Sequence, residues 1–307
     1  MWTKDSRDRH KRIAKKTKRY RSDLTDEEWA AMEPFLPKPA GVGSPRRVDM
    51  REVLNAIRYL VRSGCAWSML PIHFPPWQTV YWWFRRLARR LMFRTIHDIA
   101  LMIDRALADR AIEPTAAIID SQTIKAPAPG AERGYDGAKK TVGRKRHIAV
   151  DTSGRLLLVH LTPANISDSA GAQAVLDALH SKWPWIKQLF ADSAYDRRQL
   201  LDKVAFLDFT LDIVKRTEPA FVVLPRRWVV ERTLGWMTRH RRLVRDYEAR
   251  VDMSEAMINI AMGGLMMRRI TPPIVVKRTL RLSGLVGFRG RATTGLPRRW
   301  PSASQTA

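Results

Sequence analysis

The chain has 307 residues, 45% hydrophobic and 28% charged, with 55 Lys and Arg against 30 Asp and Glu for a net charge of +25. That composition is globular, with length for two domains, and the cationic excess points to nucleic acid before an anionic membrane or a ribosomal-type scaffold. The single cysteine, Cys65, excludes a disulfide framework and a cysteine-rich zinc site, and the N-terminus lacks the apolar run of a secretory signal.

Residues 1–21 read as a basic, disordered tail, suited to loose phosphate contacts or to simple solvation. Order is expected from Thr25, where TDEEWAAMEPFL carries a capping box with Glu28 three residues on. A Pro/Gly loop, PKPAGVGSP, ends that helix. MREVLNAIRYLVRSG is a second helix with Asp49 as cap and an apolar stripe of Val53, Leu54, Ile57, Leu60 and Val61. A third is expected through WQTVYWWFRRLARRLMF, residues 77–93. Helix, turn and basic aromatic helix make residues 22–112 a small helix-turn-helix-like DNA-binding domain. On the third helix Gln78, Thr79, Arg85, Arg86, Arg89 and Arg90 can face DNA, while Val80, Trp83, Phe84, Leu87 and Leu91 pack inward. The alternative is an ordinary amphipathic helix with an Arg-rich solvated face.

The pattern changes near Pro114. TAAIIDSQTIKA is strand-like, and RKRHIAVDTSGRLLLVHLTP reads as two strands joined by a turn at residues 151–154. A helix capped by Ser167 or Asp168 follows, then a strand (IKQLFADS), a helix, a strand (LDIVKR) and a helix with Pro225 in its first turn. Three strands before the first helix indicate a mixed α/β sheet, the order of an RNase H-like domain, over residues 113–270. In that order the first and fourth strands are neighbours. Residues 271–307 are basic, rich in Pro, Gly, Ser and Thr, and expected to be disordered.

Three carboxylates stand out. Asp120 and Asp192 each end an apolar, strand-like run, and Glu231 sits in a helical pattern one turn after Arg227. Asp120 after AAII would be partly buried, which is costly unless it is paired or metal-bound; a turn residue is the plain alternative. Asp196, with Gln199 three residues on, is the better cap for the next helix, which leaves Asp192 without a local task. Glu231 and Arg227 alone would read as a surface ion pair. Together, two Asp and one Glu can hold a pair of Mg²⁺ ions through hard oxygen ligands, the arrangement used for in-line displacement at phosphorus. Asp151, in DTSG, is turn chemistry. The seven His residues show no zinc spacing, and there is no Walker loop or dinucleotide fingerprint.

From about Tyr20 to Ile270 the chain resembles the bacterial insertion-sequence transposases of the DDE type, insertion sequence 5 family. The resemblance rests on LTDEEWAAMEPFLP, IRYLVRSGCAWSMLP with FPPWQTVYWWF, IIDSQTIKA, GYDGAKKTVGRKRHIAVDTSG and FVVLPRRWVVERTLGWMTRHRRLVRDYE. It implies Asp120, Asp192 and Glu231 as catalytic metal ligands, Arg227 as the supporting Arg before the Glu, and Arg239 as the basic position about two turns after it, within about 80° on the helix. Lys139, Lys140, Arg144, Lys145 and Arg146 of the basic block become candidate DNA contacts. Leu224 stands where many relatives have Tyr, and Ser193 and Ala194 replace a frequent Gly pair. The implied activity is binding of terminal inverted repeats, cleavage of the element ends and joining of 3′-hydroxyls to target DNA, with two Mg²⁺ ions, or Mn²⁺ as a substitute. The implied partners are double-stranded DNA and a second copy of the chain or a larger assembly, in the bacterial cytoplasm at the nucleoid. A binding-only relic and an RNase H-like nuclease are the rival readings.

Overall fold

Thr25 opens the first helix, α1 (Asp26–Met32), with a complete capping box. Its hydroxyl accepts the Glu28 N–H at 3.1 Å, and the Glu28 carboxylate accepts the Thr25 N–H at 3.1 Å. This computed structural model describes residues 20–39, 46–127, 132–214 and 225–271, besides positions 3, 5 and 8. Most of the expected N-terminal tail, the tail beyond Thr271 and Leu224 lie outside the described residues. Order begins before Thr25, because the Tyr20 ring packs on Tyr59 and Phe74 with centroids 4.6 and 5.8 Å apart.

In α2 (Met50–Ser63) the Asp49 carboxylate accepts the Arg51 N–H at 2.8 Å, and the stripe Val53, Leu54, Ile57, Leu60 and Val61 is buried. Gly64 ends the helix at φ 74°, where a Cβ would lie 2.8 Å from that of Arg241, so only glycine fits. The single helix expected over residues 77–93 is two: α3 (Trp77–Arg89) and α4 (Met92–Ala106), broken where Leu91 turns left-handed at φ 54°. The apolar period runs on through the break, with no Gly or Pro to mark it. Val80, Phe84 and Leu87 are buried as expected, whereas Trp83 is half-buried and Leu91 exposed.

The sheet contains β1 (Ala116–Lys125), β3 (Thr141–Asp151), β4 (Leu156–Pro163), β5 (Gln188–Ala191) and β6 (Thr210–Ile213), with a short β2 (Gly134–Asp136) that the sequence reading did not anticipate. Its order is β4-β3-β1-β5-β6, antiparallel from β4 to β1 and parallel from β1 to β6, with β2 paired to the start of β3. That mixed order is RNase H-like. The helices α5 (Asp168–Lys182), α6 (Arg198–Phe206), α7 (Pro225–Thr238) and α8 (Val251–Ile270) complete the chain. Ser167 caps α5, its hydroxyl accepting the Ala170 N–H at 3.2 Å.

Buried ion pairs tie the helices to the sheet. Asp151 is fully buried in the β3–β4 turn, where its carboxylate accepts the N–H groups of Ser153 and Arg155 at 2.8 and 2.9 Å, and the guanidinium of Arg105 from α4. Arg155 reaches Asp104 at 2.7 Å, and Asp104 also takes Arg269 from α8 at 3.1 Å. Asp151 is therefore turn chemistry, as read, and a lock as well. At the same end of α8, Arg268 pairs with buried Glu28 at 2.9 Å. Residues 1–272 form one compact unit. No helix among the described residues is long and apolar enough to cross a membrane.

Glu255 gives this packing a pH signature. It lies on α8 beside β4, 3.9 Å from His160, and burial pushes its carboxyl up to about 7 against the Leu161 N–H and Arg94. A carboxyl raised in the fold contributes stability that is whole below its unfolded pKa and lost as pH rises through the folded one. Relative to Glu255→Gln, the wild type should lose on the order of 2–3 kcal/mol between about pH 4.5 and pH 7. Urea unfolding of both proteins at pH 5 and pH 8 measures it; equal differences at both pH values would show that Glu255 is solvated.

Candidate active site

Parallel pairing sets Ile118 of β1 level with Phe190 of β5, so two places further on Asp120 comes level with Asp192. Asp120 does not end its strand. β1 continues to Lys125 because β3 pairs with it throughout, placing Asp120 opposite Ile148 in mid-strand. β5 stops at Ala191, and Asp192 caps the following 3₁₀ turn, Ser193–Tyr195, accepting the Ala194 N–H at 2.9 Å. Asp192 thus has a local task after all, the cap of a short turn, while Asp196 does not cap the helix as expected. α6 begins after Arg197 with no side-chain cap, because the 3₁₀ turn already occupies Asp196.

The helix α7 lies across this strand end. Val230 and Thr233 face the protein, and the Thr233 hydroxyl donates to the Gly154 carbonyl at 2.7 Å. Glu231 is on the exposed side. Arg227 Nε donates to Glu231 Oε1 at 3.0 Å, while Arg227 Nη2 stands 3.8 Å from Asp192 Oδ2. Asp120, Asp192, Arg227 and Val230 line one small cleft. Burial pushes the Asp120 carboxyl up to about 6, helped by the charges of Asp192 and Asp168 and opposed by the Ser121 N–H and Arg227. A pair of level carboxylates with one held partly protonated is a site short of positive charge, and its hard oxygen donors suit a divalent cation. The third carboxylate does not join it: no group of three or more His, Cys, Asp or Glu is gathered for a metal among the described residues. Arg227 holds Glu231 instead, and unscreened carboxylates repel.

The other expected site residues divide. Gln78, Arg86, Arg89, Arg90, Lys139 and Lys140 are exposed, and Thr79 and Arg85 half-buried. Arg86 stacks over the rings of Trp82 and Trp83 at 5.1 and 5.6 Å, and Arg85 over Tyr81 at 5.6 Å. Arg144, Lys145 and Arg146 are buried, which corrects their assignment to DNA. β3 is an interior strand, buried along nearly its whole length, so its cations lie inside the protein. Arg144 donates to Asp246 at 2.8 Å and to the Ala249 carbonyl at 2.7 Å, and Lys145 pairs with Asp168 at 2.9 Å. Arg146 donates to Gln122 at 3.4 Å, and burial pushes its guanidinium down to about 10 against the charge of Asp246. Arg239 is corrected too. α7 ends at Thr238, so Arg239 lies past the helix and lines a cavity that includes neither Glu231 nor the two Asp.

One network escaped the sequence reading. Ser121, next to Asp120, donates its hydroxyl to Asp168 Oδ1 at 2.6 Å, and Lys145 neutralises the same carboxylate. Asp168 looked like a helix cap, and nothing local to it signals a serine 47 positions earlier.

The mixed sheet, with its strand order, defines an RNase H-like domain. Residues 112–263 match the family "Transposase DDE domain", and residues 24–97 match "Putative transposase of IS4/5 family". A curated relative from Burkholderia cepacia, "Putative transposase for insertion sequence element IS402", is 32% identical over 157 residues, covering 47% of this chain and 70% of the relative. Among solved structures the Mos1 mariner paired end complex with Mn matches at 14% identity and TM-score 0.22, over 67% of this chain and 72% of that one. The chain belongs to the insertion-sequence DDE transposases of the IS4/5 family. DNA as substrate and use of a divalent metal come with that membership.

Proposed function

We propose that this transposase binds the terminal inverted repeats of an insertion sequence, cleaves the element ends and joins the freed 3′-hydroxyls to target DNA. The observation that carries the reading is the shared cleft of Asp120, on β1, and Asp192, just past the end of the neighbouring parallel strand β5, with Arg227 bridging toward Asp192 and Glu231. Two Mg²⁺ ions, with Mn²⁺ as a substitute, would be held by Asp120, Asp192 and Glu231 and would supply activation of the attacking oxygen and charge stabilisation of the leaving one. Asp120 would have to be ionised to serve as a ligand. Asp192 keeps its orientation through the Ala194 N–H. Arg227 keeps Glu231 at the cleft and lowers the repulsion among the three acids.

Sequence reading falls to α3, whose exposed Gln78, Arg86, Arg89 and Arg90, with Thr79 and Arg85, form the aromatic and cationic face of a helical DNA-binding region. Lys139 and Lys140 add phosphate contacts. Two element ends must meet, so the working form is a homodimer or larger, at the nucleoid of a bacterial cytoplasm.

The test incubates the full chain with duplexes bearing its element's inverted repeats, with and without Mg²⁺. End cleavage followed by joining is expected. Cleavage without joining would mark a nuclease, and binding without cleavage a relic. In the same reactions Gln78→Ala should lower the preference for repeat over unrelated duplex, and an unchanged preference would remove α3 from recognition.

A further inference from the structure

We infer that a cavity between α2, the end of α7 and α8, remote from the acidic pair, is a seat for a backbone phosphate of the bound DNA. The inference rests on the DNA-acting reading above.

The cavity holds about 480 Å³ and is lined by five arginines: Arg21, Arg58, Arg62, Arg239 and Arg268. None of its described lining residues is acidic. Beneath it, Glu28 pairs with both Arg58 and Arg268, at 3.1 and 2.9 Å, so one carboxylate answers two of the five cations. Arg62 donates to the Arg239 carbonyl at 2.8 Å, which neutralises nothing. The side chains of Arg21 and Arg239 make no hydrogen bond or ion pair among the described residues. The floor is apolar, with Val61, Ile260 and Leu265. A cationic concavity with low-dielectric walls focuses its field on an anion.

Arginine forks match the geometry of a phosphate, whose oxygens can accept from several at once. Ser22 Oγ and His240 Nδ1, of two further lining residues, are themselves buried beneath the cavity surface. Burial pushes His240 down to about 4, reinforced by the charges of Arg62 and Arg58 and opposed by hydrogen bonding to the backbone of Trp236 and Met237, so the imidazole stays neutral. A carbonyl-lined or metal site would need acceptors here, and the lining supplies donors. Among phosphate carriers, the DNA backbone fits a chain of net charge +25 that acts on DNA.

A plug that changes no charge tests this. Gly264 of α8 lines the cavity, and a Cβ there would meet only Arg58 Nη2 and Cζ, at 3.8 and 3.9 Å, an ordinary contact. Gly264→Leu in the full chain should occupy part of the space, beside Arg58, with every arginine still present. Binding of a short duplex of unrelated sequence is followed over several salt concentrations, with urea midpoints as the check on folding. Gly264→Leu should weaken binding about 5–10-fold and lower the slope of log K against log salt by about 1, as one lost phosphate contact does. Arg239→Gln should do the same, and it decides the matter if the plugged chain does not fold. Unchanged affinity and slope in a folded variant would overturn the proposal. A second arm follows the His240 imidazole resonance with duplex or with inorganic phosphate alone. Duplex should shift it; a shift with inorganic phosphate only would overturn the DNA assignment. Wild-type chain that binds but never cleaves counts against transposition and leaves the cavity standing, so the two failures are distinct.

Discussion

Replacing Asp120 by Asn is expected to lower metal-dependent cleavage of the element ends about 10³-fold or more, while duplex affinity stays within about twofold. The size follows from losing a ligand whose metal supplies several kcal/mol of transition-state stabilisation, at about 1.4 kcal/mol per factor of ten. Binding survives because the cationic surface is untouched, and Asn keeps an oxygen that can accept the Ser121 N–H as Asp120 does at 2.7 Å. The fold should tolerate the change well, since burial and the charges of Asp192 and Asp168 already hold the wild-type carboxyl near 6. Single-turnover cleavage, beside a filter-binding titration of the same preparation, reads both quantities. Wild-type cleavage rates would place the chemistry elsewhere in the chain.

Asp151→Ala should do the reverse. It should cost stability by about 3–5 kcal/mol, because Arg105 and Arg155, both buried, lose the carboxylate between them. Two turn N–H groups lose their acceptor at the same time. The urea midpoint should fall with its slope unchanged. Cleavage per folded molecule, measured in the cold, should hold near the wild-type rate, which separates a buried structural aspartate from one that acts on DNA. A loss under about 1 kcal/mol would mean that the two arginines find other partners or water.

Local signals in this sequence were strong wherever the cause of structure is local. The Thr25 capping box, the α2 stripe and the Asp151 turn depend on residues within a few positions of one another, and each is where the pattern put it. Strand order followed from element order, and it brought the segments of Asp120 and Asp192 together. Illegible features have remote causes. Arg144, Lys145 and Arg146 look like a basic surface until Asp246 and Asp168 arrive from elsewhere in the chain to neutralise them. The break at Leu91 has no breaker residue, and it comes from how α3 and α4 must each meet the core. Asp192 lost its apparent freedom to a 3₁₀ turn, a unit too short to leave a period in the sequence.

Arg268 reaches back to the Asp23 carbonyl, 245 positions earlier, at 2.6 Å. Met32, Leu54, Ile57, Phe93 and Ile96 of the first four helices share a pocket wall with Ile260 and Met267 of α8. On the ribosome those early helices emerge long before the segment that covers them, and contacts of such long range form slowly. A nascent chain halted before Val251 would hold the greater part of its cationic residues yet leave that apolar wall facing water. Synthesis through α8 is therefore needed to cover that wall, and a chain stopped before it is expected to expose apolar surface rather than form a free-standing DNA-binding piece.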